Sequence, residues 1–240
     1  MALILPDLSP DFFLPDTQAL EDFCLKNTID IMFDEKDGQL WLKSNLPKEK
    51  PIGIEVDETL ERHVTFFKKS SVYKDNLAKA LGIKPGVRPK VLDLTGGLLG
   101  DTLLMLAMGA QVTTLERHPV VKFLIESALH NSHHPLLANL NFVGRDAGEY
   151  LKTCEPHEVI FFDPMFEDAN HKTSPNKEMR IFREVVGSDS DATEIANLAR
   201  EKATKRLVVK RPRLSRTLLT EECLQYQGKS TRYDVYLMFK

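Results

Sequence analysis

Hydrophobic residues recur along this chain with two different periods, and the change falls near residue 85. Before it, a helical pattern over Thr17–Lys26 is followed by alternation in IDIMFD (Ile29–Asp34) and QLWLKS (Gln39–Ser44). The Asp37-Gly38 pair between them is a turn signal, so the stretch predicts a β-hairpin. IGIEV (Ile52–Val56) predicts a third strand. Residues 1–60 therefore form a small α+β domain. Asp75–Leu81 then predicts a short linker helix, with Leu77, Ala78 and Leu81 apolar and Gly82 as its stop.

After KPGVRP the pattern becomes strand, helix, strand. KVLDLT (Lys90–Thr95), QVTTLE (Gln111–Glu116), LNFVG (Leu140–Gly144), EVIFFD (Glu158–Asp163), RLVVKR (Arg206–Arg211) and YDVYLMF (Tyr233–Phe239) predict strands. Helices are expected at Asp101–Met108, Pro119–His130, Ala147–Lys152 and Asp191–Lys202; Val120, Val121, Leu124, Ile125, Ala128 and Leu129 line one face of the second. Continuous apolar strands alternating with helices imply an α/β domain over 61–240, its mostly parallel sheet covered on both faces. In such folds ligands sit at the carboxyl ends of the strands.

Composition changes this picture little. Of 240 residues, 42% are hydrophobic and 28% charged, and the formal net charge is -3. No apolar run approaches the roughly 20 residues that span a bilayer. The N-terminus has early acids and prolines and no basic region, a poor signal peptide. Three well-separated cysteines (Cys24, Cys154, Cys223) suit neither a disulfide framework nor a metal site. A cytoplasmic protein without membrane or metal is expected. HNSHHP (His130–Pro135) has no cysteine or carboxylate at ligand spacing. Charge distribution says more: residues 1–60 hold 13 acids against 5 lysines, while 200–216 hold 8 basic residues against one acid. A neutral average thus conceals a basic stripe suited to nucleic acid.

The strand ends hold the candidate chemistry. The first α/β strand runs into Asp93-Leu94-Thr95-Gly96-Gly97-Leu98-Leu99-Gly100-Asp101. Glycines there allow a tight turn and close approach of a ligand, Gly96 and Gly100 among them. The next strand ends in Glu116, where an acid can accept both hydroxyls of a ribose. A dinucleotide and S-adenosylmethionine both fit this layout. Acids before and after the glycines are poor neighbours for pyrophosphate, but Asp93 and Asp101 suit a methionine amino group or a sulfonium. S-adenosylmethionine is therefore the expected cofactor, with Asp146, past the third strand, in reach of an adenine amine.

The fourth strand ends in Asp163-Pro164-Met165-Phe166. Proline restricts the backbone, so Asp163 and the carbonyls beside Pro164 can accept hydrogen bonds from an exocyclic amine while Phe166 stacks on its base. The rest of the reaction is positioning for in-line displacement. Lys177 and Arg180 follow this loop, and Lys210 and Arg211 lie at the carboxyl end of a later strand; all four are candidate contacts to RNA phosphates.

VLDLTGGLLGD (Val91–Asp101), LERHPVV (Leu115–Val121), FFDPMF (Phe161–Phe166), NKEMR (Asn176–Arg180), ATKRLVVKRP (Ala203–Pro212) and RYDVY (Arg232–Tyr236) resemble, in order, the motifs of the RsmJ (YhiQ) family. That family consists of S-adenosylmethionine-dependent methyltransferases that modify the N2 amine of a guanine in 16S ribosomal RNA. The resemblance covers about residues 60–236. It implies a Rossmann-like class I methyltransferase fold with a seven-stranded, mostly parallel sheet. It further implies cofactor contacts at Gly100-Asp101, Glu116-Arg117, Asp146-Ala147 and Asp163, and the small ribosomal subunit or its RNA as partner. There are departures. The family's first motif resembles DATAGLGRD, so Leu99 replaces a glycine and Gly100 an arginine. The position of Asp146-Ala147 is serine-rich in the family, and Glu167 replaces the second proline of DPMFP. Alternatives are methylation of another base or a protein amide, a non-catalytic RNA-binding protein on the same fold, and a nucleotide-dependent oxidoreductase.

Overall fold

A computed structural model describes residues 2–9, 11–43, 50–165 and 189–238. In chain order its elements are β1 (Leu3–Ile4), α1 (Gln18–Asn27), β2 (Ile31–Lys36), β3 (Gln39–Leu42), α2 (Val56–Lys69), α3 (Asn76–Leu81), β4 (Lys90–Asp93), α4 (Gly100–Ala107), β5 (Gln111–Leu115), α5 (Pro119–His130), β6 (Leu140–Val143), α6 (Ala147–Thr153), β7 (His157–Phe162), α7 (Ala192–Lys202), β8 (Ala203–Pro212), β9 (Leu224–Gln227) and β10 (Thr231–Leu237). Two compact units emerge from their contacts.

One unit contains the chain through Asp57 together with Arg117–His133. The hairpin is present: β2 pairs antiparallel with β3, and Asp37 and Gly38 both take positive φ, at 55° and 78°, as a two-residue turn of this kind requires. Phe33 of β2 packs on Phe123 of α5, ring centroids 5.2 Å apart. The third strand differs from expectation. It is β1, parallel to β2 with Leu3 opposite Ile31, and at two residues it is too short to show alternation. From IGIEV only Ile52 bridges to Leu42. Val56 instead opens α2, because Val56, Leu60, Val64 and Phe67 recur at helical spacing and the first two are wholly buried.

The other unit spans 58–116, 134–165 and 189–238. Its seven-stranded sheet has the order β6-β5-β4-β7-β8-β10-β9. Pairs from β6 through β8 are parallel, while β10 is antiparallel to both neighbours. Strand alternation assigns the faces. Leu92, Ile160, Phe162, Leu207 and Val209 join Leu151 of α6 and Ile195, Ala196 and Ala199 of α7 in one buried cluster. The intervening residues Asp93, Phe161 and Val208 are in register with one another and lie on the opposite face. Two residues further along, that same parity brings Asp163 and Lys210 to the carboxyl ends of their strands. The linker helix α3 is capped by Asp75, whose Oδ1 accepts from the N–H groups of Leu77 (2.7 Å) and Ala78 (3.2 Å), and it stops at Gly82.

Candidate active site

The turn after β4 is built around a buried acid. Asp93 is 1% exposed. Its Oδ1 accepts the Thr95 N–H at 3.1 Å, and its Oδ2 accepts the Thr102 hydroxyl of α4 at 2.6 Å and the Thr114 hydroxyl of β5 at 3.3 Å. Burial pushes its carboxyl up to about 7, against the pull of the Thr102 and Thr95 hydrogen bonds. This geometry makes Asp93 the anchor of the turn, linking β4, α4 and β5.

Above that anchor the glycines divide the work. A Cβ on Gly96 would lie 3.0 Å from Thr114 Oγ1 and 3.1 Å from the Leu115 carbonyl, so Gly96 permits close packing on β5. Gly97 has φ of 49°, and a Cβ there would meet nothing within 4 Å; it faces open space where a ligand can approach the backbone. Its N–H donates to Glu116 Oε2 at 2.9 Å, holding that carboxylate at the rim of the turn. Leu99, at the position where the family motif has glycine, takes φ of 59°. The leucine thus adopts the backbone conformation that glycine adopts freely, at a cost of roughly 1–2 kcal/mol. Its side chain is wholly buried, and that burial offsets the strain.

The DPM segment is tied directly to this turn. The Asp163 N–H donates to Thr95 Oγ1 at 2.8 Å. Met165 and Asp189 close a reciprocal pair: Met165 N–H to Asp189 Oδ2 at 2.7 Å, and Asp189 N–H to the Met165 carbonyl at 3.0 Å. The chain therefore departs and returns at one place beside Asp163. Phe166, Lys177 and Arg180, like Glu167, lie outside the described residues.

Lys210 joins the two ends of the site. Its Nζ donates to Asp101 Oδ2 at 2.6 Å and to Asp163 Oδ2 at 2.9 Å. Burial would depress the ammonium, but the Asp163 and Asp101 carboxylates outweigh it and hold Lys210 above its ordinary value. Burial raises the Asp163 carboxyl to about 6; Lys210 pulls it back and Asp101 pushes it further up. This differs from the sequence expectation of a lysine reaching for RNA phosphate. The cause is strand parity: Lys210 and Asp163 share one face, and α4 begins opposite them. Arg211 differs likewise. It is 8% exposed, and its Nε donates to the Arg216 carbonyl at 3.1 Å.

Two more predicted positions are helix-associated. Asp146 caps α6, its Oδ1 accepting the Glu149 N–H at 3.0 Å, and Ala147 is buried as the first residue of that helix. Gly100 begins α4, with Asp101 in its first turn. Arg117 follows Glu116 in the chain and belongs to the other contact unit. Sequence reasoning missed Thr95 and Thr102, which hold Asp163 and Asp93, and Tyr233, directly opposite Lys210 in the β8–β10 register. Burial raises the Tyr233 phenol, with Asp101 adding to it. The available signal was the threonine inside DLTGG and the aromatic in RYDVY; neither names a partner until the register is known. Among the described residues no group of three or more His, Cys, Asp or Glu is placed to hold a metal, and no helix is long and apolar enough to cross a membrane.

The donor set fits an adenosyl cofactor. A glycine opens onto free space, and acids stand at the carboxyl ends of neighbouring strands, with one more carboxylate than ammonium around Lys210. Sheet order and glycine turn together define a Rossmann-like class I S-adenosylmethionine-dependent methyltransferase fold. A solved structure of a SAM-dependent methyltransferase from Neisseria gonorrhoeae shares it, with a TM-score of 0.68 and 24% identity, over 99% of this chain and 96% of that one. A family model described as putative SAM-dependent methyltransferase matches residues 19–238. The ribosomal RNA small subunit methyltransferase J of Pseudomonas savastanoi pv. phaseolicola is 34% identical over 233 residues, 93% of this chain and 82% of the relative. That of Laribacter hongkongensis is 40% identical over 168 residues, 67% of this chain. In that match the chain spans about 60% of the relative's length, and 64% in the match to the Pseudomonas paraeruginosa protein. The chain belongs to the RsmJ family, the ribosomal RNA small subunit methyltransferases J.

Proposed function

We propose that this protein transfers a methyl group from S-adenosylmethionine to the exocyclic N2 amine of a guanine in 16S ribosomal RNA. The observation that carries the reading is the hydrogen bond from the Asp163 N–H to Thr95 Oγ1. It couples the amine-accepting DPM segment to the glycine turn, so the two reactants meet in one frame. Glu116 holds the ribose, Asp146 and the Ala147 backbone the adenine, and Asp101 the methionine end. Arg117 is a further cofactor contact, as in the family pattern. When bound, the cofactor supplies an electrophilic methyl on a sulfonium.

The chain's own residues do the rest. A guanine N2 lone pair is delocalised into its ring. Asp163 and the Pro164 carbonyl accept the two amine N–H groups, which favours a tetrahedral nitrogen with its lone pair aimed at the methyl. Asp163 is also placed to take the N–H proton that the amine would release on methylation, the methyl and the sulfur leaving group being what the bound cofactor would supply. Phe166 stacks on the base, and Lys177 and Arg180 contact phosphates. Lys210 acts within the site by keeping Asp163 ionised and oriented. The chemistry resides in the unit that holds the seven-stranded sheet, and the setting is the cytoplasm.

Calorimetric titration with S-adenosylhomocysteine tests the cofactor assignment. Micromolar binding by the wild type, weakened at least about tenfold in Glu116→Ala, is expected for loss of a ribose-binding carboxylate. Labelled methyl should then appear on N2 of a guanine in unmodified small-subunit RNA. Tight binding without incorporation into RNA would overturn the substrate.

A further inference from the structure

We propose that Leu214 is a wedge that enters the base stack of the RNA beside the target guanine, with Arg213 and Arg216 on the flanking phosphates. The inference rests on the methyltransferase reading above and adds how the base is presented.

Leu214 is 93% exposed. A lone exposed leucine needs no explanation by itself; the mounting of this one does. The Ser215 N–H and hydroxyl both donate to the Pro212 carbonyl, at 3.1 and 2.8 Å. The Arg213 N–H donates to the Ser230 carbonyl at 2.9 Å. Beneath the turn, Arg232 Nη1 donates to the Arg213 carbonyl at 2.8 Å and the Ser215 carbonyl at 2.6 Å. The Arg232 guanidinium is itself held by Asp234, Nε to Oδ1 at 2.8 Å and Nη2 to Oδ2 at 3.1 Å. Asp234 is 0% exposed and Arg232 5%. A buried, bidentate ion pair thus fixes a four-residue turn whose central apolar side chain touches almost nothing of its own chain.

Position and charge select the occupant. The turn follows β8, whose Lys210 contacts Asp163, so it stands at the carboxyl end of the sheet where the amine is methylated. Arg213 and Arg216 are exposed on either side of Leu214, as phosphates would require. The N2 amine of a stacked guanine cannot present its lone pair to a pocket at the end of a sheet. The base must leave the stack, and the gap closes again unless something fills it. A rigid apolar side chain flanked by arginines fills such a gap.

The test compares the wild type with Leu214→Ala and Leu214→Met on folded small-subunit RNA. Leu214→Ala should lower kcat at least about tenfold, since unstacking is left uncompensated, while Leu214→Met stays within about threefold because it still fills the gap. S-adenosylhomocysteine affinity and Tm should match the wild type in both. With 2-aminopurine in place of the methylated guanine, wild-type binding should raise fluorescence severalfold and Leu214→Ala should not. Unchanged kcat and fluorescence in Leu214→Ala would overturn the wedge and leave the methyltransferase intact. Equal losses in Ala and Met would overturn it too. If the wild type methylates no guanine, the functional reading fails first and the wedge with it.

Discussion

Two cation–carboxylate clusters lie on adjacent strands of the same sheet, and they are built in opposite ways. Arg232 and Asp234 on β10 form a closed pair, one guanidinium fork on one carboxylate, 5% and 0% exposed. Lys210 on β8 serves two carboxylates from different elements, and the Lys210, Asp101 and Asp163 side chains keep 22%, 20% and 34% of their surface. The first cluster is shut, with Arg211 as a second buried guanidinium beside it. The second retains an excess negative charge and an opening, which suits a cationic cofactor. A buried, fully paired cation suits a structural role, whereas a partly exposed cluster with a carboxylate to spare suits a binding one.

Removing the cation of the closed cluster should do the most damage. Arg232→Ala leaves Asp234 buried without its bidentate partner and should cost about 3–5 kcal/mol, lowering Tm by about 10 °C for a chain of this size. Thermal and urea unfolding check this, and a loss under 1 kcal/mol would mean that the pair does not anchor the sheet.

Asp93 sharpens the contrast as a buried carboxylate held by hydroxyl and N–H groups. Its carboxyl is raised to about 7, so between the ordinary aspartate value and about 7 the folded state binds a proton that the unfolded chain has released. Stability contributed by this residue therefore falls as pH rises through that window, by roughly 1.4 kcal/mol per pH unit. Asp93→Asn should flatten that slope in urea titrations between pH 4 and 7. An unaltered slope would mean that Asp93 is ionised throughout.

The open cluster should respond in activity more than in stability. Protonation of Asp163 removes an acceptor from the amine, so wild-type methylation should decline below about pH 6. Lys210→Met removes the cation that pulls Asp163 down. The acid limb should move upward, with at least about a tenfold loss at pH 7 that recovers at higher pH. A uniform loss at every pH would assign Lys210 to binding instead. The smallest effect is at the turn. Gly97→Ala should cost about 1 kcal/mol of stability for its positive φ, because its Cβ meets nothing. It should still weaken S-adenosylhomocysteine binding, since the methyl group projects into the approach path. Unchanged affinity would move the cofactor away from Gly97.

Much of this was legible from local pattern. The strands with long apolar runs, helix α5 and the hairpin turn at Asp37-Gly38 follow from periodicity and turn chemistry alone. The elements that escaped are short or polar: β1 with two residues and β9, LQYQ, with one apolar side chain bar its tyrosine. Helix α2 escaped because its apolar positions begin inside a run that also alternates. Among the candidate site residues, Asp163 and Glu116 announce themselves as acids at strand ends. The partners of Lys210 do not, because one is 109 residues away and the other 47.

The strand–helix alternation, the glycine turn with its acids, and the family can all be read along the chain, since these depend on residues near one another in it. Which charges meet depends on the folded arrangement. It turned a lysine expected at phosphate into the bridge between Asp101 and Asp163, buried Arg211, and mounted Leu214 on the Arg232–Asp234 pair. Parity along a strand is local, but register between strands is not, and register sets which side chains share a face.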